Sequence, residues 1–230
     1  QVNIYGNHVG SWNFAATAYL NQWKVKIYYE HYFDDHSQMF FQYGRWKDGH
    51  IGLEITFPKN RFIDTFVYEG LGTKDQTGPM LYDSFWGEFE EQISAKDNYY
   101  NHYLYQGWQH WGMGIGNPLL PGPIYNKNGQ ITFISNRVLA HHIGFCGSPC
   151  QSLSYRMLLS YSRHWGTYDN PLNEIKKQFN SLFEVTYAPQ QLKGWSFTVS
   201  GAMDRGSMLG NNYGGMLVIR KQGIIKSGNK

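Results

Sequence analysis

The 230-residue chain suits one domain or two small ones, and 17% aromatic residues with only 16% charged ones exclude a disordered chain. A net charge of +3 and a pI near 8.7 leave no nucleic-acid footprint, which needs Lys and Arg clustered on one face. Mean hydropathy is negative and no apolar run reaches about 18 residues, so no transmembrane helix is expected.

Period-two alternation dominates from the start of the chain. It predicts about nine strands. They are Ser11–Leu20, Trp23–Phe33, His50–Phe57, Arg61–Gly72, Ile131–Phe145, Ser152–His164, Gln178–Tyr187, Gly194–Asp204 and Tyr213–Lys221. In the second, Trp23, Val25, Ile27, Tyr29 and Phe33 fall on one face, and Lys24, Lys26, Tyr28, Glu30 and Tyr32 on the other. Trp195, Phe197, Val199 and Met203 alternate with Ser196, Thr198, Ser200 and Asp204 in the same way.

The links carry a second signal. Asn21–Gln22, Pro58–Asn60, Cys146–Gln151 and Ala188–Lys193 are short; Asp34–Gly49, Thr73–Gln130 and Trp165–Lys177 are long, and Arg205–Asn212 is intermediate. Alternating short and long links fit an antiparallel meander with tight turns at one rim and long loops at the other, the plan of outer-membrane barrels. Aromatics near strand ends (Trp12, Trp23, Phe33, Phe57, Phe62, Trp165, Tyr187, Trp195 and Tyr213) fit the girdles of such barrels. A soluble sandwich or lipocalin-like barrel explains the strands but not the links or the flanks. The expected fold is therefore all-β: an up-and-down transmembrane barrel with a long, partly helical external loop at 73–130. Nine inward- and outward-running strands with an external start, in a class with even strand numbers, point to the C-terminal portion of a longer barrel.

Several segments in order along the chain resemble the capsule-assembly Wzi family of outer-membrane proteins, in its Bacteroidetes branch. They include Gly-Asn-His-Val-Gly-Ser-Trp (6–12), Phe-Pro-Lys-Asn-Arg (57–61), Tyr-Glu-Gly-Leu-Gly-Thr-Lys-Asp-Gln-Thr-Gly-Pro (68–79), Asp-Asn-Tyr-Tyr-Asn-His-Tyr-Leu-Tyr (97–105), Leu-Leu-Ser-Tyr-Ser-Arg-His-Trp-Gly-Thr-Tyr (158–168) and Leu-Gly-Asn-Asn-Tyr-Gly-Gly-Met-Leu (209–217). The resemblance implies the C-terminal half of an eighteen-stranded outer-membrane barrel. It also implies a lectin-like role, holding capsular polysaccharide at the cell surface.

No Gly-x-Ser-x-Gly elbow, His-Glu-x-x-His helix or Walker-type loop occurs, so a binding role without a chemical step is expected and no cofactor or metal is called for. Gly112–Gly116 reads as a flexible loop rather than a dinucleotide fingerprint. His141 and His142 share a strand and should face opposite ways. His31, Asp34, Asp35 and His36 could coordinate a cation at a strand end, but read as a solvated loop. Cys146 and Cys150 are a turn with incidental thiols or a small hairpin disulfide.

Sugar binding needs flat apolar faces flanked by amides. The 73–130 link offers Trp86, Tyr99, Tyr100, Tyr105, Trp108 and Trp111, with Asn98 and Asn101 among them. Short helices at Phe85–Ile93 and Tyr99–Trp111 are expected to plug the barrel. Lys24, Lys26, Glu30, Arg156 and Asp204 lie on polar faces, where a barrel would point them to its lumen. Their alternative role is structural pairing. The expected partners are surface polysaccharide and outer-membrane lipid or lipopolysaccharide, with no nucleic acid, around a monomeric barrel. The rival readings are a passive porin for sugars, a barrel enzyme and a soluble carbohydrate-binding module.

Overall fold

The computed structural model describes residues 9–34, 39, 47–60, 62–78, 96–102 and 106–223. The chain is all-β. Nine strands form one antiparallel sheet in simple sequence order: β1 (Gly10–Leu20), β2 (Trp23–Phe33), β3 (Gly49–Thr56), β4 (Thr65–Gly72), β7 (Val138–Cys150), β8 (Leu153–Gly166), β9 (Pro171–Tyr187), β10 (Trp195–Gly206) and β11 (Asn212–Lys221). Between β4 and β7, the two-residue strands β5 (Gln109–His110) and β6 (Met113–Gly114) pair separately. β1 and β11 are not paired with each other among the described residues, so the sheet is open.

All nine predicted strands form, because each carries a period-two pattern that works only with one face apolar. Several edges move. β7 starts at Val138, not Ile131, since Phe133 leaves the sheet and is buried at 1% exposure under the long link. It then runs through Cys150 with a bulge between Gly147 and Cys150, so this segment is strand and only Gln151–Ser152 turns. Both thiols are free. The expected long link at Trp165–Lys177 is only 167–170, because β8 and β9 extend into a tall hairpin. The expected tight turn at Pro58–Asn60 becomes a longer link, 57–64. In it Asn60 Oδ1 accepts from the N–H groups of Phe62 and Ile63.

The register carries one face across the whole sheet. Ala16, Ile27, Leu53, Tyr68, Ile143, Leu159 and Ser181 are successive cross-strand partners, and Val199 lies opposite Val185 and Leu217. This face is apolar, and it is bare. Phe14, Ile27, Ile51, Val199 and Leu217 are all more than half exposed. The opposite face runs Ala15, Tyr28, Gly52, Glu69, His142, Ser160, Asn180 and Asp204. It is polar, and Ser162, His164, Gln178 and Ser200 on it are buried. A sheet in water buries its apolar side. Here the two sides are exchanged. Aromatics sit on the apolar face at the short-turn ends of the strands: Trp23, Phe66, Phe145, Tyr155, Tyr187 and Trp195.

Gly52 shows how the polar face is packed. A Cβ there would overlap the ring of its cross-strand partner Tyr28. The glycine lets that ring lie flat on β3, so that the Tyr28 hydroxyl donates to Glu69 on β4. Gly52→Leu should displace the ring, break the bond and cost about 1–3 kcal/mol in denaturant unfolding. Gly201→Ala, whose Cβ would meet nothing within 4 Å, should leave the midpoint unchanged.

Candidate functional site

The five charged residues expected on polar faces do share one face, and each finds a partner there. Lys24 Nζ lies 3.4 Å from Glu54, and Arg156 lies 3.2 Å from Glu184. Asn180 donates to Asp204 at 2.6 Å, and Lys26 stands 5.2 Å over the Tyr28 ring. Glu30 lies 3.7 Å from His50 and accepts from the Tyr32 hydroxyl at 3.4 Å. These partners belong to the sheet, not to the 96–137 link, so the charges brace neighbouring strands rather than hold the link in place.

The described part of the long link folds over the polar side of β2–β4 and β7. The small core forms there, from Leu71, Val138 and Ala140 of the sheet and Leu120 and Phe133 of the link, with Tyr32, Tyr100 and Trp108 packed against it. The anchor is Asp48, just before β3 and 1% exposed. Its carboxylate accepts the N–H groups of Asp75 (2.8 Å) and Gln76 (2.6 Å) and the Tyr99 hydroxyl (3.1 Å). Burial pushes this carboxyl up to about 6, against the pull of those donors. Asn136 extends the latch, donating to Asn98 Oδ1 at 2.5 Å and to the Tyr99 carbonyl at 2.8 Å. Asn101 exchanges two bonds with the Phe133 backbone, at 2.9 and 2.8 Å.

This placement sorts the expected sugar-binding residues. Tyr99 is 2% exposed and offers no face to a sugar. Asn98 and Asn101 hold the link together. Tyr100 stacks on Trp108 with ring centroids 5.4 Å apart, and both line a cavity of about 400 Å³ with Glu30, Tyr32, His50 and Asn117. Burial also raises the Tyr100 hydroxyl. Trp111 is 85% exposed. Trp86 and Tyr105 lie outside the described residues, as do Asp35, His36 and the helix expected at Phe85–Ile93.

The helix expected over Tyr99–Trp111 is absent among its described residues. Polar side chains at 98, 101, 106 and 109 bond to local backbone and to each other instead, which competes with a helix. The only helical turn among the described residues of the link is the 3-10 turn Pro123–Tyr125. The Gly112–Gly116 run is only partly loop, since Met113–Gly114 forms strand β6. Trp111 (φ 52°) and Gly112 (φ 78°) form the two left-handed positions of a tight hairpin joining β5 and β6.

Sequence reasoning missed Asp48, Gln76, Phe133 and Asn136, whose partners lie far away in the chain. It also missed an amide-lined groove of about 820 Å³ between the link and the β8–β9 turn. Two serines of β8 pair with imidazoles: Ser160 with His142 Nδ1 on β7 (2.7 Å) and Ser162 with His164 Nε2 on β8 itself (2.8 Å). Both serines sit mid-strand between β7 and β9, where ladder bonds occupy the backbone N–H groups that an oxyanion hole would use. His141 faces the other way, bonded to Tyr68 at 2.8 Å. No group of three or more metal-ligating side chains forms among the described residues. Compared with family models, curated proteins and solved structures, the chain matches none.

Proposed function

We propose that this chain is a wall segment of an outer-membrane β-barrel that holds surface polysaccharide, acting by binding without a chemical step. One observation carries the membrane reading: the apolar face is continuous over nine strands and bare, while the polar face holds the ion pairs and the folded link. In lipid such a sheet is correctly sided, because the bilayer covers the apolar face. The aromatic row at the short-turn ends fits an interfacial girdle, with Trp195 and Phe197 stacked at 6.4 Å and Lys221 over Trp195 at 5.6 Å.

The polysaccharide part rests on the amide and aromatic surfaces of the link and on the motif resemblance to the Wzi family. The test is deletion of the parent gene, with a plasmid copy as control, and measurement of cell-attached against released polysaccharide. Attached polymer should fall and released polymer rise, with total synthesis unchanged. Unchanged attachment would refute the role.

A solute-conducting porin is the second reading. It is favoured by the polar face of β8–β10, where Arg156, Glu184, Asn180 and Asp204 pair among themselves and with Ser200, not with the link. Steady single-channel conductance of the purified parent in planar bilayers would favour it.

A further inference from the structure

Resting on the polysaccharide reading above, we infer that the groove between the long link and the β8–β9 turn binds an uncharged glycan chain, with Trp111 as a stacking platform at its end. The groove measures about 820 Å³. Its walls carry Asn98, Gln106, Asn128, Gln130, Asn170 and Asn173. Among the described residues no Asp, Glu, Lys or Arg lines it, and His102 is the one titratable residue in its wall.

An amide both donates and accepts, as a sugar hydroxyl does, so a row of amides matches hydroxyls at either polarity. A uronate or phosphate polymer would instead call for Arg or Lys in the wall.

The groove continues. Gln130 also lines an adjoining cleft of about 520 Å³ whose wall includes Gly129, Ile131 and Trp111. Trp111 is almost fully exposed, yet its backbone is fixed at the tip of the β5–β6 hairpin, and Gly112 N–H donates to Gln109 Oε1 at 2.8 Å. The hairpin tip thus presents an open indole face on which the C–H face of a sugar can lie. Two clefts that share Gln130, one lined by amides and one largely apolar with Trp111 in its wall, suit several consecutive sugars rather than one.

The test uses the intact parent protein purified in detergent. The probe is surface polysaccharide extracted from the source cells and split by anion exchange into uncharged and acidic pools. Binding of the uncharged pool, with affinity unchanged from low to high salt, is expected. Trp111→Ala and Gln130→Ala should each weaken it about tenfold, and Asn170→Ala with Asn173→Ala at least as much. Asn173→Asp, on an exposed position, is the second probe if the alanine variants misfold; heat-modifiable gel migration reports folding. If only the acidic pool binds, or if folded groove variants bind as wild type does, the groove assignment is overturned while polysaccharide binding stands. If neither pool binds, both fall.

Discussion

Ile27→Arg should lower the stability of the folded protein in lipid vesicles by about 2–4 kcal/mol, read as a shift in the urea midpoint. Ile27 lies near the middle of β2, between Ala16 and Leu53, and is 54% exposed. Exposure gives the sign. If water covered this face, Arg would sit in it at a cost within about 0.5 kcal/mol. If hydrocarbon covers it, the guanidinium must be drawn from water into the bilayer core. Val199→Arg on β10 should repeat the effect, since Val199 is 60% exposed on the same face. Ala202→Lys is the control. It lies on the polar face of the same strand, beside Asp204, and should be tolerated. Equal, small costs at all three positions would remove the membrane reading, however the sugar experiments came out.

Asp48→Ala should undock the long link. It leaves the Asp75 and Gln76 N–H groups and the Tyr99 hydroxyl without their acceptor, in a place water does not reach. Each unsatisfied buried donor costs about 1–3 kcal/mol, so a loss of about 3 kcal/mol or more is expected. Limited proteolysis within 96–102 should become fast while the strands stay protected.

The wild type should also show a pH dependence of known sign. The folded Asp48 carboxyl is raised from 3.8 to about 6, so the folded state holds the proton more tightly than the unfolded one. Its contribution is full below about pH 4, declines as pH rises towards about 6 and is level above that. A shift of this size corresponds to about 3 kcal/mol. Hydrogen exchange of the Gln76 amide should therefore be slower, after correction for intrinsic rates, at pH 4 than at pH 7. Asp48→Asn, which does not titrate, should flatten the difference. An equally steep profile in that variant would place the titrating group elsewhere.

Much of the sheet was legible before any coordinates. Period two is a local property: Trp23 to Phe33 alternates whatever surrounds it, and β2 forms with those same bounds. The sharing of one face by Lys24, Lys26, Glu30, Arg156 and Asp204 follows from the same alternation once the strands pair in order. So does the opposition of His141 and His142.

The link was not legible, because its structure is made of distant bonds. Asp48 and Gln76 meet across 28 positions, and Asn136 and Asn98 across 38. A Tyr-Tyr-Asn run reads alike whether its rings meet sugar or core. Only the fold buries Tyr99, stacks Tyr100 on Trp108 and leaves Trp111 bare. The groove joins Gln130 to Asn170 and Asn173, which a hairpin of two long strands brings back beside the link. By itself the sequence determined where the main strands lie and which side of each is apolar, since these depend on neighbours two residues apart. The tertiary structure alone decided which side is covered and which amides converge, since both depend on what the chain brings together from far along its length.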